Sequence, residues 1–176
     1  MSTAVATPDA KNTHGAAQSR PLLKWVSLAL ALIGLADAIY LTYSHVAGVE
    51  TACPTGSAIF NCDLVQHSIY STLAGIPIVF PGLLGYIAVV AVLLLDGRIP
   101  FFTQRGPLLA FGLTLIGFLF SGYLTAIEAF VLFAWCMWCM ISATVMTILF
   151  VLSAVRVWRH IGMVSEDDEE LEVESV

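Results

Sequence analysis

The chain has 176 residues, of which 59% are hydrophobic and 11% are charged, and its formal net charge is −6. A soluble domain of this length needs more polar residues than this to cover its surface. The composition therefore excludes a water-soluble globular protein and indicates an integral membrane protein. The sequence has no basic patch, glycine-rich phosphate loop, or flavin or nicotinamide motif, so no nucleic-acid partner is predicted.

The first element in chain order is a polar tail, residues 1–20, which has no periodicity and is predicted to be disordered. Four apolar stretches follow, each long enough for a membrane helix of about 20 residues: about 22–46, 76–95, 107–131 and 135–158. The chain ends in an acidic run, SEDDEELEVESV, predicted to be a second disordered tail. We therefore predict an all-α fold: an integral membrane four-helix bundle over residues 21–160, with an outer loop between helices 1 and 2 and tails at 1–20 and 161–176.

The orientation follows from the basic residues, because Lys and Arg near helix ends are retained on the cytoplasmic side of the membrane. All seven fall on one side of the four-helix arrangement: Lys11, Arg20, Lys24, Arg98, Arg105, Arg156 and Arg159. We therefore expect a multi-pass protein of the plasma (inner) membrane, surrounded by lipid, with both termini cytoplasmic. The loops 47–75 and 129–135 are predicted to lie outside.

The four cysteines all fall on the predicted outer side, where an oxidising compartment permits disulfides. Cys53 and Cys62 lie in a polar loop, ETACPTGSAIFNCDLVQHSIYS, and by themselves are also compatible with a structural disulfide. Cysteine pairs in such a compartment favour a redox function.

Cys136 and Cys139 lie in FAWCMWCMIS, at the start of the fourth predicted helix. A helix N-terminus favours a thiolate and lowers the pKa of a cysteine, which indicates redox chemistry more strongly than a structural disulfide. A four-cysteine zinc site is the alternative, but such sites usually combine two close-spaced pairs, whereas Cys53 and Cys62 have eight residues between them. No metal is predicted, and a non-enzymatic membrane protein that binds a metal through its cysteines stays as the second hypothesis.

Residues 22–158 resemble the vitamin K epoxide reductase family in its bacterial, unfused form. The resemblance rests on AIYLTYSHV, ACPTGSAIFNCDLVQHSIYSTLAGIPI, GLLGY and WCMWC, and on the order and spacing of all four cysteines. It implies a four-helix bundle around a quinone, with dithiol oxidation coupled to quinone reduction. The co-substrate would be menaquinone, ubiquinone or phylloquinone. The disulfide-bond protein B family is similar in function, but there the close-spaced pair comes first.

The resemblance also implies roles for the cysteines. Cys136 and Cys139 match the active-site pair, and Cys53 and Cys62 match the shuttle pair. Many bacterial relatives carry a fused thioredoxin-like domain, whereas this chain ends shortly after its fourth helix, so a separate periplasmic thioredoxin-fold partner is expected. That partner would attack Cys53, the freed Cys62 would attack Cys136, and Cys139 would face the quinone.

Three further positions are candidates for the quinone pocket, two of them by the same resemblance. Ser68 and Ser71 match polar positions near the quinone, and Tyr123 is a pocket candidate by its location on helix 3; helix packing or capping would also account for all three. At two positions the sequence departs from the animal enzymes, with Ala143 in place of a tyrosine and Ile78 in place of an asparagine. These departures argue against epoxide reduction.

The apolar stretches also contain an ionisable residue and two tryptophans near a helix end. Asp37 is an ionisable residue midway along helix 1, so it is expected to face the bundle interior, as a proton-transfer group or as a structural hydrogen-bonding partner of a Tyr or Ser hydroxyl. Trp135 and Trp138 fit an interfacial aromatic belt.

Overall fold

The computed structural model describes residues 10–53, 60–73, 75–96 and 100–174. The elements in chain order are α1 Ala10–Ala47, α2 Cys62–Gln66, a 3₁₀ turn Ile69–Ser71, β1 Thr72–Leu73, β2 Ile76–Pro77, α3 Val79–Leu95, α4 Pro100–Ile127, a π-helical turn Glu128–Leu132, and α5 Met137–Glu174. The two strands pair antiparallel, with Leu73 opposite Ile76. The described chain is therefore mostly helical, as the composition predicts.

The four long helices form a ring. α1 packs against α3 and α5, and α4 packs against the same two helices from the other side. Three segments are long and apolar enough to cross a membrane, namely Leu22–Ala47, Arg105–Leu132 and Met137–Arg159. α3 is apolar but has only 17 residues, about 26 Å at 1.5 Å per residue, so its crossing stays a prediction.

The apolar core lies where α1, α3 and α5 meet. It contains Leu28, Ala31, Ala38, Tyr86, Val89, Val90, Leu93, Val145, Met146 and Leu149. The Tyr86 ring lies against Gly34 so closely that a Cβ at position 34 would be 2.1 Å from its Cε1 atom. This contact brings α1 and α3 together, and it directs the Tyr86 hydroxyl to the Ser142 carbonyl on α5, to which it donates at 2.9 Å.

The helix boundaries differ from the predicted ones in the tails and at α4, which begins at Pro100 rather than near 107. α1 begins at Ala10 rather than near 22, and α5 continues to Glu174 rather than ending near 158. Residues 10–20 and 161–174, which were expected to be disordered, are therefore helical; the rest of both tails lies outside the described residues. Ala is the most frequent residue in the first extension and Glu in the second, and both continue a helix at little cost. α3 starts at Val79 because the preceding residues form the small hairpin.

One end of the bundle is tied together by Asp96, which follows α3. Lys24 on α1 donates to the Asp96 carbonyl, and Arg156 on α5 pairs with its carboxylate. Arg98, expected on the same side, lies outside the described residues. Since the loop cysteines and the start of α5 lie at the other ends of the same helices, the basic side chains and the cysteines occupy opposite ends of the bundle.

Candidate functional site

The outer loop is joined to the segment just before α5 by backbone contacts. The Asn61 amide donates to the Trp135 carbonyl at 3.1 Å, and Phe60 forms a parallel bridge with Trp135. The Asn61 side chain then accepts from the Leu64 amide at 3.0 Å and so caps α2. This cap starts α2 at Cys62, which is only 1% exposed.

The other arm of the loop is held by side chains. The Trp138 indole donates to the Ala52 carbonyl at 2.7 Å, and the Ala52 amide donates to the Tyr40 hydroxyl at 3.0 Å. The rings of Tyr40 and Trp138 pack with their centroids 4.6 Å apart. The residue directly before Cys53 is thus fixed from both α1 and α5, and Trp138 does more than the aromatic belt predicted for it.

These contacts bring the four cysteines together. Cys53 and Cys62 form a disulfide, whereas Cys136 and Cys139 are free thiols. Cys62 and Cys136 are buried in one apolar cluster, and Cys53 and Cys139 pack against it. The remaining members of this cluster are Val65, Leu132, Ala134 and Trp138.

Cys136 occupies the N-cap position of α5. The Cys139 amide donates to the Cys136 sulfur at 3.4 Å, and the Met140 amide donates to its carbonyl at 3.0 Å. The pKa of Cys136 is lowered, chiefly because the Cys139 side chain hydrogen-bonds to its sulfur and also because first-turn amides point at it. Hydrogen bonds of this kind stabilise a thiolate, as the position at a helix start predicts.

Glu128 is a residue of this site that the sequence reasoning missed. It is 3% exposed, and its Oε2 accepts a hydrogen bond from the Cys136 amide at 3.1 Å. The connection between α4 and α5 makes this possible: after the π-helical turn, Phe133 takes a left-handed conformation with φ 48°, and the Ala134 amide bonds back to the Glu128 carbonyl. The available signal was a carboxyl group in an apolar stretch, the same signal that singled out Asp37.

A cavity of about 380 Å³ opens between α1, α3, α4 and α5 beside the cysteines. Its wall is mostly apolar and includes Cys139, Glu128, Ser68 and Ser71. A volume in this range suits a small organic ligand. Tyr123, by contrast, is 57% exposed and does not line the cavity.

The two serines have their hydroxyl protons engaged. Ser68 donates to the Val65 carbonyl at 2.9 Å, and Ser71 donates to the Ser68 carbonyl at 2.7 Å. Toward a ligand in the cavity they therefore offer acceptor lone pairs in this arrangement. Ile78 and Ala143, the two departures from the animal enzymes, also line the cavity and offer no hydrogen-bonding side chain there.

Asp37 faces the bundle interior and is 6% exposed. The Ser142 hydroxyl lies near its carboxyl group, although neither Asp37 oxygen makes a hydrogen bond of normal geometry within the described residues. The Ser142 hydroxyl also meets the Tyr86 hydroxyl at 3.1 Å. Of these three polar groups, those of Tyr86 and Ser142 line the cavity.

The described part of the chain contains no preformed metal site. There, no group of three or more His, Cys, Asp or Glu side chains is arranged to hold a metal ion. The chemistry that the arrangement offers is instead that of thiols, a disulfide and a carboxyl group beside an apolar cavity.

A sequence model of the vitamin K epoxide reductase family matches residues 25–154. The match covers most of the chain and contains all four cysteines, α3, the π-helical turn and most of the apolar part of α5. The chain therefore belongs to the vitamin K epoxide reductase family, whose members are helical bundles in the membrane that act on quinones.

Proposed function

We propose that this protein is a membrane thiol:quinone oxidoreductase that oxidises the thiols of a thioredoxin-fold partner and passes the electrons to a quinone. The observation that supports this most is the juxtaposition of the two cysteine pairs in one cluster, with Cys139 on the wall of an apolar cavity. A purely structural disulfide would need neither the second pair nor the cavity.

The first half of the reaction is thiol-disulfide exchange. A partner thiolate attacks the Cys53 sulfur and releases Cys62, and the partner's second thiol displaces Cys53, which leaves the partner oxidised and the loop pair reduced. Cys53 is the better point of attack because it is partly exposed, whereas Cys62 is 1% exposed.

The second half carries the electrons inward. Cys62 attacks Cys136 of an oxidised helix pair, and Cys139 leaves as a thiolate. Cys53 then attacks Cys62, which restores the loop disulfide and frees Cys136. Two electrons and two protons have by then moved from the partner to Cys136 and Cys139.

The cavity is the proposed place of quinone reduction. A quinone takes up two electrons and two protons and leaves as the hydroquinone, while Cys136 and Cys139 close their disulfide. The apolar wall favours a lipid-soluble ligand and keeps water from the reduced sulfurs. The lack of a hydrogen-bonding side chain at Ile78 and Ala143 argues for quinone reduction rather than epoxide reduction.

The proposed orientation has the cysteines on the outer face of the plasma membrane and both termini in the cytoplasm. The bundle end that carries Lys24 and Arg156 would then be the inner one, in keeping with the retention of basic residues on that side. An outward-facing loop pair can meet a periplasmic partner, which would itself be a thioredoxin-fold protein.

The test is quinone reduction by the purified protein in lipid nanodiscs, followed by absorbance, with dithiothreitol as the electron donor. The wild type should reduce an added quinone, and Cys139→Ala should not. A wild type that reduces none of the three quinones, ubiquinone, menaquinone and phylloquinone, would contradict the proposal. Stoichiometric zinc in such an inactive preparation would favour the metal-binding alternative.

A further inference from the structure

Glu128 contacts the redox centre at two points. Its carboxylate accepts the Cys136 amide hydrogen at 3.1 Å, and its side chain also interacts with that of Cys139. It lines the same cavity as Cys139 and is 3% exposed. Since burying a carboxyl group within an apolar bundle is costly, its position calls for a specific function.

The local backbone is built to place this carboxyl group. α4 changes to a π-helical turn at Glu128, and the turn ends at Phe133 with a positive φ of 48°. Both features are uncommon for ordinary helix connections and recur at functional sites. Together they bring the Glu128 side chain back to the first residue of the Cys-x-x-Cys motif.

The proposed reaction requires protons to move from the cysteine thiols to the quinone. Each quinone takes up two protons, and the Cys136 and Cys139 thiols release two. The cavity wall is mostly apolar, and Glu128 is the only carboxyl group among the described residues that line it. Its side chain interacts with that of Cys139, and both line the cavity, so Glu128 adjoins both the proton source and the proposed place of quinone reduction.

We infer that Glu128 takes the proton from the Cys139 thiol and delivers it to the quinone in the cavity. This inference rests on the proposed function. The Glu128 carboxylate removes the Cys139 proton and leaves a thiolate, and the resulting carboxylic acid gives that proton to a quinone oxygen. The Cys136 proton follows through the same carboxylate as its sulfur bonds to Cys139, so two electrons and two protons leave with the hydroquinone and Glu128 returns to its starting state.

Glu128→Gln separates this role from a structural one. The glutamine amide oxygen can still accept the Cys136 amide hydrogen, so the connection keeps its shape, but the side chain can no longer exchange a proton. General acid-base groups contribute about 10²- to 10⁴-fold to a rate, so kcat for quinone reduction should fall by about 100-fold or more. The KM for the quinone and the unfolding temperature should stay near those of the wild type. Glu50→Gln, which changes an exposed glutamate of the outer loop, is the matched control and should behave as the wild type.

Glu128→Ala gives a second readout. Formate, a small carboxylic acid that fits the space left by the side chain, should speed quinone reduction by this variant in proportion to its concentration. The inference would be overturned if kcat of Glu128→Gln equalled that of the wild type, or if Glu128→Ala did not respond to formate. The proposed function would survive either result as long as the wild-type protein reduces quinone. A wild type without quinone reduction would instead count against the proposed function itself.

Discussion

The indole N–H of Trp138 donates a hydrogen bond to the carbonyl of Ala52 at 2.7 Å. A side chain from within the Cys-x-x-Cys motif thus holds the residue that precedes Cys53. The bond joins two residues that are 86 positions apart in the sequence. It therefore holds the loop cysteine pair next to the Cys-x-x-Cys pair.

Trp138→Phe is expected to weaken this connection while keeping an aromatic ring against Tyr40. One hydrogen bond contributes about 0.5–1.5 kcal/mol net, so the equilibrium constant for docking of the loop should fall about 2- to 10-fold. Turnover with a protein partner should fall by up to that factor, and turnover with dithiothreitol, which reduces the helix pair directly, should not change. Steady-state quinone reduction with each donor measures both.

The control for this variant is Trp135→Phe. Trp135 receives the loop through its backbone carbonyl, which accepts from the Asn61 amide, so a change of its ring leaves that bond intact. Equal losses in both variants would mean that ring packing, and not the indole hydrogen bond, positions the loop.

The loop pair should be dispensable for a small donor. Cys53→Ala and Cys62→Ala are expected to lose turnover with a thioredoxin-fold partner and to keep it with dithiothreitol, because a small dithiol can reach the partly exposed Cys139 at the cavity without a shuttle. Cys139→Ala should lose turnover with both donors. If the loop variants are as inactive with dithiothreitol as Cys139→Ala, the shuttle role is wrong.

The orientation can be tested with a single reactive cysteine. A variant that keeps Cys53 alone should react with a membrane-impermeant maleimide on intact spheroplasts; Cys53 is suited to this because it is partly exposed, whereas Cys62 is buried. Leu22→Cys in a cysteine-free chain, an exposed site at the basic end of α1, should react only after lysis. The opposite pattern would reverse the orientation and place the cysteines in the cytoplasm.

Gly34→Ala should destabilise the bundle. The added Cβ would lie 2.1 Å from the Tyr86 ring, which is itself 2% exposed and cannot move aside freely. Overpacking of this kind costs about 1–3 kcal/mol, so the unfolding temperature in detergent should drop. Gly112→Ala is the matched control, since a Cβ there meets nothing within 4 Å. Equal unfolding temperatures for the two variants would show that α1 and α3 can separate to accommodate the methyl group.

Much of this architecture could be predicted because membrane helices are recognisable in a sequence by their length and apolar composition. The side of each helix that packs inward could not be predicted. A helix that is apolar all round has no amphipathic period to show which side packs inward, so Tyr123 was placed by location alone and proves to be 57% exposed. The reverse holds for Asp37, whose charge alone was enough to predict a position inside the bundle.

The contacts that assemble the site could not be predicted from local sequence patterns either. Trp138 bonds to a carbonyl far along the chain, and a tryptophan near a helix end looks the same whether it meets lipid or a loop. The hydrogen bond between Glu128 and the Cys136 amide depends on a π-helical turn and on the left-handed Phe133, neither of which has a distinctive residue pattern here.

The two cysteines of the helix pair should react with different partners. Cys136 is fully buried in the cluster that also contains Cys62, whereas Cys139 lines the cavity. Removal of Cys139 leaves no resolving thiol on α5, so Cys139→Ala should accumulate a disulfide between Cys62 and Cys136. Removal of Cys136 leaves a lone Cys139 thiolate at the cavity, so Cys136→Ala with bound quinone should show a long-wavelength charge-transfer absorbance.

A protease site inserted between α3 and α4 makes the trapped disulfide visible. Cys62 and Cys136 then lie on separate fragments, which should stay joined on a non-reducing gel for Cys139→Ala and separate when dithiothreitol is added. The double variant Cys62→Ala/Cys139→Ala is the matched control and should separate under both conditions. A crosslink in Cys136→Ala together with the coloured species in Cys139→Ala would exchange the two roles. If neither variant gives either signal, electrons do not pass from the loop to the cavity by way of Cys136 and Cys139 in that order.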